Sequence, residues 1–108
     1  MVSIKNFKEL ALSFPETVER PHFEKTSFRV KSKIFATLSG ETSLAVVKLS
    51  EIDQSVFCSF DISIIYPVDN KWGKQGWTVI NLKKVRKDML MDALTTAYNE
   101  VLNTKKKR

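Results

Sequence analysis

The stretch HFEKTSFRVKSKIFATLSGETSLAVVKLSEID, residues 22 to 53, decides the fold class of this chain. Its first part is rich in β-formers, and Thr26, Phe28 and Val30 alternate with Lys25, Ser27 and Arg29. Residues 31 to 33 and 39 to 42 have turn compositions, and they separate two further strand candidates, IFATLSG and SLAVVKL. Three strands joined by short connections predict an antiparallel meander with one buried face.

Helical patterns flank the meander on both sides. A first helix is predicted from Ser3, its N-cap, to Phe14, because Pro15 pushes the preceding residue out of helical geometry. We interpret ETVERP, residues 16 to 21, as a loop. After the meander, Ser50 begins a capping box, and a short second helix is predicted from apolar residues at helical spacing: Ile52, Val56 and Phe60.

The second half of the chain adds two strands and a helix. The strand candidates are ISIIYPV and GWTVINL, and in the latter Trp77, Val79 and Asn81 alternate with Thr78, Ile80 and Leu82. A C-terminal helix is predicted from an apolar stripe formed by Leu90, Leu94, Ala97, Tyr98, Val101 and Leu102. The order α-β-β-β-α-β-β-α predicts an α+β two-layer sandwich, with a mainly antiparallel five-stranded sheet and helices packed on one face.

Length and composition limit the class of protein. A chain of 108 residues has the length of one domain, which we assign to residues 1 to 104, followed by a basic tail at 105 to 108. The sequence contains no run of about 18 apolar residues and no secretory signal at its N-terminus. A cytoplasmic protein without a membrane partner is therefore expected.

The net charge of +6 is unevenly distributed along the sequence. Residues 1 to 64 are neutral overall, so the whole surplus lies in residues 65 to 108, and four of its positive charges form the tail. A terminal run of like charges is usually a solvated tail. The folded body is thus only weakly basic.

Residues with catalytic chemistry are scarce. His22 is the only histidine and Cys58 the only cysteine, and neither has a partner in a recognisable motif. Phosphate-binding loops, dinucleotide fingerprints and zinc motifs are absent from the sequence. We therefore predict no enzymatic activity, no cofactor and no metal, while an enzymatic alternative would need a pocket that joins His22 to Glu24 or Cys58.

The segment VDNKWGKQGWTVINL, residues 68 to 82, can be interpreted as a nucleic-acid-binding loop or as a structural turn before a strand. Lysines and an exposed indole can bind phosphates and stack on bases. Glycines also permit the backbone geometry of a tight turn, and a tryptophan often anchors the end of a strand. We interpret Trp77 as the opening residue of the last strand, which leaves Lys71, Trp72 and Lys74 as candidate ligand-binding residues.

Three pieces in this order, PHFEKTSFRVKSKIFATL, AVVKLSEIDQ and YPVDNKWGKQGWTVINL, resemble the MmcQ/YjbR family of small bacterial proteins. The similarity runs from about Phe14 to Val101. It implies a frataxin-like or secretion-chaperone-like sandwich of three helices and five strands, and a DNA-binding role through a double-wing shape. Many relatives carry Asn-Lys-Lys-His-Trp before the last strand, whereas this chain keeps Lys74 and Trp77 and lacks the histidine. The acidic ridge of frataxins is also missing, since the first helix offers only Glu9, so no iron site is predicted.

The leading hypothesis is accordingly a binding module for nucleic acid, with DNA as the expected ligand. Its two wings would be the turn at 31 to 33 and the loop at 69 to 76. The candidate contact residues are Lys25, Arg29, Lys31, Lys33, Lys71, Trp72, Lys74, Lys83, Lys84, Arg86 and Lys87. The alternative is a protein-interaction module that uses an exposed sheet face, with the basic residues serving solubility.

Overall fold

A computed structural model describes residues 1–103 of the chain as a six-stranded antiparallel sheet with four helices. The strands lie side by side in the order β1-β2-β3-β4-β6-β5, and the basic tail lies outside the described residues. The elements are α1 (Ile4–Leu12), β1 (Thr17–His22), β2 (Lys25–Val30), β3 (Lys33–Ser39), β4 (Leu44–Lys48), α2 (Glu51–Cys58), β5 (Ile65–Pro67), α3 (Lys71–Lys74), β6 (Trp77–Asn81) and α4 (Lys87–Leu102).

The core lies between one face of the sheet and the helices. On that face the ring of Phe28 meets Phe7 of α1 edge-on, with 5.6 Å between ring centroids. Tyr98 of α4 contacts Phe35 in the same way at 5.6 Å. Gln54 of α2 donates a hydrogen bond of 3.1 Å to the buried hydroxyl of Thr78. The predicted α+β class with helices on one face is therefore confirmed.

A β-bulge in β3 allows two consecutive residues to enter this core. Phe28 pairs with Ala36, but the next residue of β2, Arg29, pairs with Ile34, so Phe35 has no partner on β2. A bulge of this kind breaks the strict alternation of side chains. Phe35 and Ala36 are both fully buried as a result.

Two predicted loops contain regular structure instead. Residues 16 to 21 were expected to form a loop, but Thr17–His22 is strand β1, which makes the sheet six-stranded and not five-stranded. β1 is an edge strand with an almost wholly exposed sequence, so it lacks the alternating pattern that identifies a half-buried strand. The loop predicted at 69 to 76 likewise contains the one-turn helix α3.

The other predicted elements are present, although β5 covers only Ile65–Pro67 of the candidate ISIIYPV and α2 ends at Cys58, before the predicted Phe60. Ser3 and Ser50 cap their helices, and their hydroxyl oxygens accept hydrogen bonds from the amides of Asn6 and Asp53. α1 ends at Leu12, two residues before the predicted end. Among residues 1–103, no helix combines the length and the apolar character that a crossing of the lipid bilayer requires.

Phe23, in the turn between β1 and β2, gives a first testable prediction. Its φ is +59° and its side chain is 94% exposed, so a bulky residue occupies left-handed backbone geometry without burial. For a residue with a Cβ this geometry costs about 1 to 2 kcal/mol, while glycine adopts it freely. We expect Phe23→Gly to be about 1 kcal/mol more stable than Phe23→Ala in urea unfolding.

The alanine variant is the matched control, because both changes remove the edge contact between the Phe23 and His22 rings. A glycine variant that is no more stable than the alanine variant would contradict the proposed strain.

Candidate nucleic-acid interface

Strand direction divides the predicted basic residues between two ends of the sheet. The upper end is defined here by the turn at Lys31 and Ser32, where β2 leads into β3. Lys48 lies at this end of β4 and pairs with Trp77, so the segment 68–76 between β5 and β6 also lies there. The lower end carries the turn between β1 and β2, residues 40–43 and the chain after Asn81.

The predicted site therefore separates into two groups. The upper group comprises Lys31, Lys33, Lys71, Trp72 and Lys74, and the lower group comprises Lys25, Lys83, Lys84, Arg86 and Lys87. A central strand of five residues spans roughly 17 Å, so the two groups cannot form one compact site. Arg29 belongs to the sheet face away from the helices, where its Nε donates to the hydroxyl of Ser27 at 3.0 Å.

The turn between β2 and β3 holds its residues in an unusual conformation. Lys31 and Ser32 have φ values of +53° and +69°, and both side chains are exposed. Such a two-residue hairpin turn favours asparagine and glycine, so lysine and serine are strained there. Val30 pairs with Lys33 across the turn, which keeps both exposed lysines at the tip.

The second upper-end segment is held against the sheet by close backbone contacts. Gly73 and Gly76 are buried, and a Cβ at Gly73 would lie 2.0 Å from the carbonyl oxygen of Val68. Lys48 Nζ donates a hydrogen bond to the carbonyl of Gln75 at 2.8 Å, so the ammonium group of this lysine helps to hold the segment in place. Gln54 of α2 donates to the carbonyl of Gly73 at 2.9 Å. These contacts fix the backbone of the segment, and its exposed side chains project from that fixed backbone.

Trp72 and two lysines form the exposed part of this segment. The Trp72 side chain is 49% exposed, and its amide is capped by the Asn70 side chain at 2.8 Å. Lys71 Nζ lies 6.0 Å from the centroid of the Trp72 ring. Lys74 is exposed on the same short helix, whereas Trp77 is half-buried as the first residue of β6. The interpretation of Trp77 as a strand-opening residue is confirmed.

At the lower end the cations are interspersed with carboxylates. Arg86 forms an ion pair of 2.8 Å with Asp88. Asp61 accepts hydrogen bonds from the hydroxyl and amide of Ser63, which lower the pKa of its carboxyl, with a further contribution from the charge of Lys84. These carboxylates offset part of the charge of Lys84 and Arg86, while at the upper end Asp69 lines one hollow together with Lys71 and Lys74.

The open face of the sheet is less polar than expected. Its central row pairs Val46 with Val79 and Val79 with Tyr66, and all three side chains are half-buried. Ser27 lies on this face and is nevertheless fully buried, and its hydroxyl donates to the carbonyl of Arg20. The alternation of apolar and polar residues in the sequence did not predict this apolar row, because β4 and β6 carry apolar residues on both faces of the sheet.

His22 and Cys58 lie far apart. His22 is on β1 and Cys58 ends α2, which packs on β5, so they lie near opposite edges of the sheet, five strand spacings or roughly 24 Å apart. Burial raises the pKa of the Cys58 thiol, which disfavours the reactive thiolate. Within residues 1–103, no three His, Cys, Asp or Glu side chains are grouped as metal ligands.

Comparisons with known proteins agree with this architecture. The model of the YjbR family matches residues 12–100. The crystal structure of Deinococcus radiodurans protein DR2400, described with the domain DUF419, superposes with a TM-score of 0.85 at 18% sequence identity. The superposition covers 100% of this chain and 84% of that chain, and at this identity it supports the fold alone. None of the curated proteins matches the chain.

Proposed function

The chain belongs to the YjbR family, and from this premise we propose that it is a cytoplasmic DNA-binding module without catalytic activity, which contacts the duplex with the upper end of its sheet. One observation carries the proposal: the antiparallel topology brings two basic segments, the turn at 31 to 33 and the segment 68–76, to the same end. They are the two wings of the proposed interface.

The separation of the wings suits a duplex. In the strand order, the β2–β3 turn and the β5–β6 connection are three strand spacings apart, or roughly 14 Å. The major groove of B-form DNA is about 12 Å wide. Lys31 and Lys33 on one wing, and Lys71 and Lys74 on the other, can therefore contact phosphates on the two sides of one groove.

The chemistry of the wings favours backbone contacts over base reading. Four lysines supply point charges for phosphates, which position a protein on the duplex without selecting sequence. Trp72 adds an exposed indole face on which an unpaired base could stack. The proposed activity is thus salt-dependent binding with little sequence preference.

The test is fluorescence anisotropy with a labelled duplex of about 16 base pairs over a salt series. Four phosphate contacts predict a slope of about −3.6 for log affinity against log salt. The double change Lys33→Gln and Lys74→Gln removes one lysine from each wing. It should reduce the slope to about −1.8 and weaken binding about 100-fold at about 50 mM salt.

The control is Lys83→Gln with Lys84→Gln, which removes the same charge from the lower end. This variant should bind nearly as tightly as the unchanged chain, and so should a chain that ends at residue 104. Equal losses in the two double variants would mean that net charge drives binding. Loss of binding on removal of the tail alone, or no binding at about 50 mM salt, would overturn the proposed interface.

A further inference from the structure

Helix α2 presents its apolar stripe to solvent. Ile52 and Val56 of α2 and Phe60, two residues beyond its end, are spaced four residues apart and are 77%, 52% and 63% exposed. An ordinary surface helix turns such a stripe toward the core, yet α2 has no fully buried residue. Ile62, just beyond the helix, is also 62% exposed and extends the apolar surface.

A groove lies beside this stripe, between α2 and α4. Asp53, near the start of α2, shares one hollow with Asn99 and Asn103 at the end of α4. Val56 and Phe60 share a second hollow with Asp92, nearer the start of α4. The two helices therefore run antiparallel, and we call the two hollows between them together the α2–α4 groove.

The charge around the α2–α4 groove is opposite to that of the chain as a whole. α2 contains two acidic residues and no lysine or arginine, although the net charge of the chain is +6. The sides of the groove carry Asp53, Asp88, Asp92 and Glu100. Arg86 is the one cation in these two linings and is paired with Asp88. The surface thus combines an apolar centre with an acidic rim.

We propose that the α2–α4 groove docks a basic amphipathic helix from a partner protein. Ile52 and Val56 lie about one helical turn apart, roughly 6 Å, and Phe60 follows just beyond the end of α2, so the three can meet apolar side chains of a helix lying alongside. Lysines or arginines at the border of that apolar face would meet Asp53 and Asp92. Charge complementarity selects this occupant and gives it an orientation.

The same charges disfavour two other occupants. A second copy of the chain in a symmetric pair would place the acidic rims against each other. An anionic lipid surface would be repelled by the same carboxylates. Because the groove lies in the helix layer and not at the upper end of the sheet, the inference does not depend on DNA binding.

Amide NMR spectra of the whole chain, titrated with a synthetic helical peptide, test the proposal. The probe carries leucines at four-residue spacing along one face and lysines elsewhere, and its control carries glutamates in place of the lysines. We expect saturable shifts confined to α2, the turn that carries Phe60, and α4 with the lysine peptide, and none with the glutamate peptide.

Two exposed positions on the groove provide the variants. Phe60→Ser should weaken peptide binding about tenfold by removing an apolar anchor, and Asp92→Lys should do so by reversing the charge. The matched control is Glu9→Lys, the same change on the exposed surface of α1, which should leave the affinity unchanged. If thermal unfolding shows that Phe60→Ser is not folded, Val56→Ser replaces it.

Several results would overturn the proposal. Equal binding of the glutamate peptide would remove the charge argument, and shifts at Lys71 to Lys74 would place the peptide elsewhere. A dimer that dissociates on Phe60→Ser would make a second copy the occupant, and capture by phosphatidylserine vesicles would make it a membrane. Lys33→Gln with Lys74→Gln should leave peptide binding unchanged, so failure here is distinguishable from failure of the DNA interface.

Discussion

Gly76→Ala is expected to lower the free energy of unfolding by about 3 kcal/mol, a large fraction of the stability of a small domain. Gly76 has a φ of +103°, a conformation that a residue with a Cβ rarely adopts. A Cβ at this position would also lie 1.8 Å from the carbonyl oxygen of Leu49. That carbonyl belongs to rigid backbone, because the amide of Leu49 donates to the Gly76 carbonyl at 3.0 Å. Urea unfolding measures the effect.

Gly40→Ala is the control for this experiment. Nothing lies within 4 Å of a Cβ built at Gly40, so alanine there should leave stability within about 1 kcal/mol of the unchanged chain. Similar stabilities for the two alanine variants would show that the Gly76 backbone relaxes without cost. The change should also weaken the proposed DNA binding, because a displaced Gly76 moves the segment that carries Lys71 and Lys74.

The two glycines of this segment show how far residue type alone predicts structure. We predicted that both would serve the geometry of a turn before the last strand. That is right for Gly76, which has the positive φ. Gly73 instead lies in helix α3, where its missing side chain lets Val68 approach. Close packing between segments distant from a turn signal has no local pattern, so composition could not distinguish the two cases.

The elements with a clear period were predicted well, and those without one were not. The meander, the capped helix α2 and the apolar stripe of α4 each repeat at the spacing of their structure. β1 was missed because an exposed edge strand buries too little to select apolar residues. The exposure of the α2 stripe was also beyond prediction, since helical spacing shows which residues share a face but not what covers that face.

The candidate site was predicted only in part, for a topological reason. That Lys31 and Lys33 share a turn follows from the meander. Whether the cluster at 83 to 87 joins them depends on the pairing of β6 with β4, two strands separated in the chain by two helices and a further strand. That pairing runs antiparallel and sends residues 83 to 87 to the opposite end. A non-consecutive pairing leaves no signal in a single sequence.

Phe35→Ala is expected to cost about 4 kcal/mol, the largest effect among these predictions. The side chain is fully buried, and its ring packs edge-on against the rings of Phe14 and Tyr98, with 6.1 Å and 5.6 Å between ring centroids. Truncation leaves a cavity between β3, Tyr98 of α4 and Phe14, which follows α1. Removing the ring also loses the edge contacts of an aromatic cluster, worth about 0.5 to 1.5 kcal/mol per pair.

Phe23→Ala makes the matched control, because it deletes the same atoms from a side chain that is 94% exposed, and it should change stability by less than about 1 kcal/mol. The comparison tests the bulge itself. If side chains alternated strictly along β3, Phe35 would lie on the open face of the sheet and Ala36 on the core face. Truncation of Phe35 would then cost little stability. A difference of about 3 kcal/mol between the two variants supports the bulged register, whereas near-equal stabilities would favour regular pairing of β2 with β3. Because the same bulge sets the register of Lys33 at the upper end, regular pairing would also move one wing of the proposed DNA interface.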